Sequence, residues 1–209
     1  MKRIINGIVF KNPIFVSTLG LCSALAVTNN FENAYIMGFC VCFVLMFSTL
    51  IISLIKNVVP DNVRIPVYIL IIATFVTMVE ILLNKFLKPM YDILGIYIPL
   101  IVVNCIVLGR QLQNRNKKIF ESLLDSFGVG VGYLVSLMVI GAIREILGYN
   151  TITFMNHVSS ITGYRAIYRV FPTNDIIPMN IFSNQVGAFL TLGFLIALFK
   201  KIGGKHGTN

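Results

Sequence analysis

The sequence predicts an all-α integral membrane protein with six transmembrane helices and no separate soluble domain. Of its 209 residues, 56% are hydrophobic and only 12% are charged, whereas a soluble domain carries about 25% charged residues. The charges also fall between long apolar segments, and a helix needs roughly 20 apolar residues to cross a bilayer. We therefore treat residues 1–209 as a single polytopic membrane domain.

Six apolar segments follow one another along the chain, and each predicts one spanning helix. Their approximate limits are 13–28, 34–55, 66–83, 93–108, 126–147 and 183–199. The third begins at Pro66, a favourable residue in the first turn of a helix. The first follows Lys2 and Arg3 and so resembles a signal peptide, but because five more spans follow we interpret it as a retained span. The longest connection, 148–182, is apolar enough to lie on or dip into the membrane.

Basic residues predict the orientation of these spans. The chain has 17 Lys and Arg against 8 Asp and Glu, and the excess flanks the spans, which favours membrane topology over nucleic-acid binding. If all six spans cross, the side with both termini holds twelve basic residues: Lys2, Arg3, Lys11, Lys56, Arg64, Arg110, Arg115, Lys117, Lys118, Lys200, Lys201 and Lys205. The other side holds five: Lys85, Lys88, Arg144, Arg165 and Arg169. Because cytoplasmic loops are enriched in Lys and Arg, both termini are predicted to be cytoplasmic.

The first and fourth spans differ from the others because they are short and contain helix-breaking residues. Each has about 16 residues, or roughly 24 Å of helix against a hydrocarbon core of roughly 30 Å. The interrupting residues are Pro13, Gly20, Gly95, Pro99 and Asn104. Short, interrupted spans at matching places predict a 3+3 inverted repeat with a site near the midplane. The halves would be about 13–86 and 93–200; the alternative is a pair of ordinary tilted helices.

Each short span carries one cysteine, and the two positions would approach the axis of the predicted repeat. They are Cys22 and Cys105. A thiolate can bind metal, but cysteine is also a common small buried residue, and the spacing by itself favours packing. Cys40 and Cys42 lie about 200° apart around a helix, so they cannot face one site and are interpreted as packing residues. Because an iron–sulfur cluster takes four cysteine ligands, a cluster here would need a second subunit.

Three charged residues lie within a span or at its end. Glu80, inside the third span, either serves an ion pathway or pairs at the interface with Lys85 and Lys88, and the pairing is favoured. Arg144 and Glu145 point about 100° apart at the end of the fifth span and so need different partners. They are predicted to anchor this span or to contact another subunit. The same span has four glycines, which predict close helix packing: Gly128, Gly130, Gly132 and Gly141.

Four stretches of the sequence resemble the NqrD/RnfE family of membrane subunits. They cover the first span, the start of the third, the fourth and the end of the fifth, in the family's order: LGLCSALAVT (19–28), VRIPVYILIIA (63–73), GIYIPLIVVNCIVLGR (95–110) and REILG (144–148). Within the family, the stretches are more similar to the E subunit of the Rnf complex. The D subunit of the sodium-pumping NADH:quinone reductase is the alternative.

The resemblance implies a specific function. Rnf complexes are ion-translocating ferredoxin:NAD⁺ oxidoreductases of the bacterial inner membrane. Their E subunit and a homologous A subunit of opposite orientation share an intramembrane [2Fe–2S] cluster with two cysteines from each, and electron relay is coupled to Na⁺ or H⁺ transport. The family's ligand positions match Cys22 and Cys105. Flavins and the other iron–sulfur clusters would lie in other subunits.

The resemblance also sets the expected partners. They are the A, B, C, D and G subunits of the Rnf complex together with membrane lipid, and no nucleic acid. This chain alone would have no complete active site. Two other functions fit the predicted architecture: a secondary transporter, which would not need Cys22 and Cys105, and a structural assembly protein, which would bind no iron.

Overall fold

The computed structural model describes residues 19–56, 58–113, 118–149, 151–155, 166–169 and 184–203. Within them the helices are α1 (Leu21–Val27), α2 (Phe31–Ile55), α3 (Arg64–Phe86), α4 (Lys88–Leu94), α5 (Cys105–Gln113), α6 (Ile119–Tyr149) and α7 (Gln185–Gly203). Two short 3₁₀ helices, Asp61–Val63 and Pro99–Ile101, precede α3 and α5. The strands are β1 (Thr151–Met155) and β2 (Ala166–Arg169).

Three of the helices are long and apolar enough to cross a membrane. α2, α3 and α6 contain 25, 23 and 31 residues, or about 37, 34 and 46 Å of helix. They confirm the second, third and fifth predicted spans. α7 occupies the sixth, but its apolar part, Gln185–Leu198, is shorter than a full span. Residue 183, where this span was predicted to begin, lies outside the described residues.

The fourth predicted span is broken, as its composition predicts. Lys88–Leu94 and Pro99–Gln113 are bent by 58° relative to each other. Pro99 opens the intervening 3₁₀ helix, where its missing N–H is least costly. In the first predicted span, α1 accounts for seven residues, and 13–18 lie outside the described residues. The six crossings and the inverted repeat remain predictions.

α2 and α6 form the closely packed centre of the molecule. Three small residues bring the two antiparallel helices together: an added Cβ at Gly38 would lie 3.0 Å from the Leu134 Cα, one at Gly130 2.9 Å from the Cys42 Sγ, and one at Gly141 2.9 Å from the Ala34 Cβ. In lipid, small residues at a helix interface allow the backbones to approach and gain van der Waals contact. The predicted close packing is therefore confirmed at Gly130 and Gly141.

The outer surface of the helices is strongly apolar. Large side chains are more than 60% exposed on three different helices, as for Phe39, Leu70 and Phe189. In the most apolar stretch of α3, only 22% of the residues are buried within the described chain. A contiguous surface of this kind marks contact with a membrane or a partner, in agreement with a helical membrane protein.

One part of the described chain is not helical. β1 and β2 form a two-stranded antiparallel sheet in which Thr151 pairs with Arg169 and Thr153 with Ile167, followed by an irregularity before Met155. The sheet lies in the connection predicted between the fifth and sixth spans. Its sequences, TITFM and AIYR, are rich in the β-branched and aromatic residues that favour strands.

Candidate intramembrane cysteine site

The start of α1 is built on a single glycine. Gly20 adopts φ 77°, a left-handed conformation that other L-residues rarely take. A Cβ at this position would also lie 2.5 Å from the Ile106 Cδ1 atom of α5. Gly20 therefore turns the chain and lets the start of α1 pack directly on α5. Cys22 follows as the second residue of α1.

The break before α5 is built on an asparagine. The Asn104 Oδ1 atom accepts a hydrogen bond of 3.0 Å from the Ile106 backbone N–H, which satisfies one of the free donors at the start of this helix. Asn104 is completely buried. α5 starts at the next residue, Cys105. The two predicted site residues are thus the second residue of one half-helix and the first residue of another.

A buried polar network joins the two breaks. The Ser23 hydroxyl donates to the Gly20 carbonyl at 3.1 Å and accepts from the Asn104 Nδ2 atom at 3.1 Å. The Tyr133 hydroxyl of α6 lies 2.5 Å from the same Ser23 oxygen. Because a hydroxyl has one donor and two lone pairs, these three bonds satisfy Ser23 completely. Ser23, Asn104 and Tyr133, together called the clamp, are all at most 1% exposed.

The clamp places the two predicted site cysteines in one region. Cys22 precedes Ser23 and Cys105 follows Asn104, so the hydrogen bond between Ser23 and Asn104 brings the two cysteine-bearing helix starts together. Both are free thiols that are exposed on the surface of the chain. Cys40, in contrast, is buried, and Cys42 packs against Gly130, in agreement with their interpretation as packing residues. The structure therefore separates the four cysteines into two kinds.

The described residues do not complete a metal site in this region. Among the described residues, no three or more His, Cys, Asp or Glu side chains come together in a way that would hold a metal ion. Cys105 is the first residue of a nine-residue helix. The further ligands of a metal centre at these two exposed thiols would come from outside the described residues.

Arg144 holds the opposite end of α1. Its Nη1 atom donates to the Thr28 Oγ1 at 2.7 Å and to the Leu25 carbonyl at 3.5 Å, and its Nη2 atom donates to the Asn29 Oδ1 at 2.9 Å and the Asn184 carbonyl at 3.1 Å. The Arg144 side chain is 1% exposed. A cation at a helix C-terminus binds its free carbonyls and complements its dipole. Arg144 therefore fixes the half-helix that carries Cys22.

Glu145 has a different partner, as its position on the helix predicts. Its Oε2 atom accepts a 2.7 Å hydrogen bond from the Phe31 backbone N–H at the start of α2. A carboxylate there satisfies a free donor and complements the dipole. Arg144 and Glu145 therefore have different partners, as predicted: adjacent residues of α6 bind the end of one helix and the start of the next. Their contact with another subunit stays a prediction.

The predicted pairing of Glu80 with Lys85 and Lys88 is wrong. The Tyr91 hydroxyl of α4 donates to the Glu80 Oε1 atom at 3.1 Å. Within the described residues, Glu80 makes no ion pair with Lys85 or Lys88. The carboxylate instead links α3 to the first half of the broken span, which the spacing along one helix could not indicate.

Sequence reasoning also missed three residues of this region. Ser23 and Tyr133 carry no motif of their own, and only the fold brings them together. Glu32 is 1% exposed near the start of α2, yet the predicted span began at residue 34 and so excluded it. An acidic residue in the first turn of a long apolar helix is a signal that could have extended the span to include it.

Comparisons with known proteins find similar membrane subunits. The model of the family described as "Rnf-Nqr subunit, membrane protein" matches residues 1–196. The E subunit of the Na(+)-translocating ferredoxin:NAD(+) oxidoreductase complex of Acetobacterium woodii is 40% identical over 199 residues, which is 95% of this chain and 94% of the relative. The E subunit of the ion-translocating oxidoreductase complex of Methanosarcina acetivorans is 40% identical over 95% of this chain and 89% of the relative. The E subunit of the ion-translocating oxidoreductase complex of Haemophilus influenzae is 38% identical over 94% of this chain and 84% of the relative.

Proposed function

The chain belongs to the Rnf-Nqr family of membrane subunits, and we propose that it is a membrane subunit of an ion-translocating ferredoxin:NAD⁺ oxidoreductase complex. Relatives that cover nearly the whole chain are by name the E subunits of ion-translocating oxidoreductase complexes. In this role the chain contributes part of an electron path and has no complete active site of its own. Its place would be the bacterial inner membrane, with both termini in the cytoplasm.

Cys22 and Cys105 supply, in this proposal, two of the four thiolate ligands of a [2Fe–2S] cluster. The observation that carries it is the clamp, because the Ser23–Asn104 bond of 3.1 Å ties together the residues that follow Cys22 and precede Cys105. Both thiols are exposed, which leaves them accessible to two further cysteines of a partner. The partner proposed is the homologous A subunit, with the B, C, D and G subunits completing the complex and carrying its flavins and other clusters.

The chain's own residues would fix how this centre is held. A [2Fe–2S] cluster supplies one-electron transfer, and its potential depends on hydrogen bonding and burial around the sulfurs. The buried Tyr133 hydroxyl lies 2.5 Å from the hydroxyl of Ser23, the residue that follows Cys22. Arg144 holds α1 from its far end, so that Cys22 sits on a half-helix restrained at both ends.

Ion coupling follows from the same two half-helices. A change of charge at Cys22 and Cys105 acts at the breaks of the two interrupted spans, where access to either side of the membrane is most easily altered. We propose that the breaks alternate their exposure as the charge changes. Identical protease and thiol-reagent accessibility of the complex in its oxidised and reduced states would contradict this step.

The ligand assignment is tested by electron paramagnetic resonance of the purified complex. Replacing Cys22 or Cys105 with Ala is expected to abolish one [2Fe–2S] signal and electron transfer through the membrane subunits, because three thiolates do not hold the cluster stably. The matched control is Cys42→Ala, which removes the same thiol from α2, where it packs against Gly130, and is expected to keep the signal. A full signal and turnover in Cys22→Ala, in a complex that retains all its subunits, would overturn the assignment.

A further inference from the structure

A second buried polar cluster lies away from the cysteines, at the far end of α5. It consists of Ser48 and Thr49 from α2, Gln111 from the last turn of α5, and Ser122 and Ser126 from α6, and it is called the hydroxyl–amide cluster below. All five side chains are at most 2% exposed. Five uncharged polar side chains buried between three membrane helices are costly unless their atoms are paired.

Most of the cluster is paired internally. The Gln111 Nε2 atom donates to the Ser48 Oγ at 3.0 Å and to the Thr49 Oγ1 at 2.9 Å. The Thr49 hydroxyl lies 3.0 Å from the Ser126 Oγ, and Ser48 and Thr49 both contact the Leu45 carbonyl. These bonds use both protons of the Gln111 amide.

Two buried oxygen atoms of the cluster have no hydrogen-bond partner among the described residues. They are the Oε1 of Gln111 and the Oγ of Ser122. Ser122 is completely buried, and it lies one helical turn from Ser126, on the side of α6 that bonds Thr49. Buried oxygens are nearly always satisfied in native proteins, which indicates that these two bind something other than a described side chain.

The chemistry of the cluster selects a small monovalent cation. Its oxygens are neutral, whereas Ca²⁺ and Mg²⁺ sites in proteins are built mainly around carboxylates. No member titrates near neutral pH, so the cluster does not carry a proton. It lies at the C-terminal end of α5, where the helix dipole is negative, and the adjacent guanidinium, that of Arg110, is paired with Asp125 at 2.5 Å.

We propose that the hydroxyl–amide cluster binds one partly dehydrated alkali cation of sodium size, with Gln111 Oε1 and Ser122 Oγ among its ligands. The C-terminal ends of half-helices in interrupted spans are suited to this task. Gln111 is six residues from Cys105, or about 9 Å along the same half-helix, so a negative charge gained at one end would strengthen cation binding at the other. That link rests on the proposed function, but the binding itself does not.

The binding is tested with radioactive sodium in equilibrium dialysis of the purified complex, first freed of sodium in choline chloride. Wild type is expected to hold one more sodium equivalent per complex than Ser122→Ala or Gln111→Leu. The matched control is Ser136→Ala, which removes a hydroxyl that is equally buried on the same helix but donates to the Gly132 carbonyl; it is expected to bind as wild type does.

Thermal inactivation in sodium chloride and choline chloride of equal ionic strength gives a second readout. Sodium is expected to lengthen the half-life of wild type and of Ser136→Ala, but not that of Ser122→Ala. If the two oxygens bind only water or nothing, Ser122→Ala removes an unpaired buried hydroxyl and stabilises the complex in both salts, which would overturn the proposal. Equal sodium binding by all variants would also overturn it.

The two proposals fail separately. If Cys22→Ala keeps the [2Fe–2S] signal while wild type still binds one more sodium than Ser122→Ala, the iron–sulfur assignment is wrong and the cation site stands. If the signal is lost in Cys22→Ala but sodium binding does not depend on Ser122 or Gln111, the cation site is wrong and the iron–sulfur assignment stands. If the complex with Gln111→Leu does not assemble, Ser122→Ala alone tests the cation site, because it removes a single unpaired oxygen atom.

Discussion

Two neighbouring regions of this protein are held together in different ways. The α2–α6 pair is joined mainly by close contact, with small residues that let the helix backbones approach. The starts of α1 and α5 are joined by the buried hydrogen bonds of the clamp, and the other end of α1 is bound by Arg144. One region is a continuous pair of helices, and the other consists of helix ends.

The difference follows from the membrane as a solvent. A continuous helix pairs its own backbone groups, so its association in lipid depends on packing. A broken helix leaves N–H and C=O groups without partners, and each costs several kcal/mol in hydrocarbon unless another group pairs with it. Polar side chains therefore accumulate where the two spans are interrupted, and those are the places where the exposed cysteines lie. The same demand that stabilises the breaks also positions a site.

The largest effect is expected where one side chain satisfies most of a helix end. Arg144→Met removes four donated hydrogen bonds from Leu25, Thr28, Asn29 and Asn184 and leaves buried acceptors unpaired. Since bonds to a charged group contribute about 1.5–3 kcal/mol each and are not additive, we expect a loss of about 3 kcal/mol or more. The fraction of complex that survives heating, measured by size-exclusion chromatography, is the readout.

The control for Arg144 is Lys85→Met, which removes one exposed positive charge from the last turn of α3. It is expected to change stability by less than about 0.5 kcal/mol. Arg144→Lys is expected to fall between the two, because an ammonium cannot reproduce the planar fork of the guanidinium. If Arg144→Met were as stable as the control, the end of α1 would not depend on this polar anchor, and the contrast between the regions would fail.

A smaller effect is expected in the packed region. Gly38→Ala places a Cβ 3.0 Å from the Leu134 Cα, a backbone atom that cannot move alone. Such overpacking costs about 1–3 kcal/mol. Gly193→Ala is the matched control, because a Cβ there meets nothing within 4 Å and alanine favours a helix by about 1 kcal/mol over glycine. The same heating assay should separate the two variants, and equal stability would mean that α2 and α6 are not held by close approach.

The two regions also differ in how far the sequence predicts them. Long apolar segments identify α2, α3 and α6, and Gly20, Pro99 and Asn104 mark the interrupted spans, because these features act within one or two helical turns. The clamp could not be predicted in this way, since Asn104 and Tyr133 lie 81 and 110 positions from Ser23 and share no local pattern with it. Glu80 illustrates the same limit: lysines lie nearer along the chain, but the broken span brings the Tyr91 hydroxyl closer.

The smallest effect, and the most specific, is expected from Tyr133→Phe. It removes one hydroxyl from the clamp and leaves the ring, so that Ser23 keeps its bonds to Gly20 and Asn104. In membrane proteins such an interhelical bond contributes about 0.6 kcal/mol on average, so stability should fall by no more than about 1 kcal/mol. If the clamp positions the cysteines, the [2Fe–2S] resonance should nevertheless shift in g-value or midpoint potential, because hydrogen bonding around the ligand sulfurs tunes both.

Ser136→Ala provides the comparison for Tyr133→Phe, since it removes a hydroxyl that is also buried in α6 but donates to the Gly132 carbonyl of its own helix. It should reproduce the small loss of stability without the spectral change. A spectrum identical to wild type in Tyr133→Phe would mean that the clamp only closes the broken backbone. In that case the clamp, like the α2–α6 contact, would give structural support only. The properties of the cluster would then depend on the cysteines and their partner chain alone.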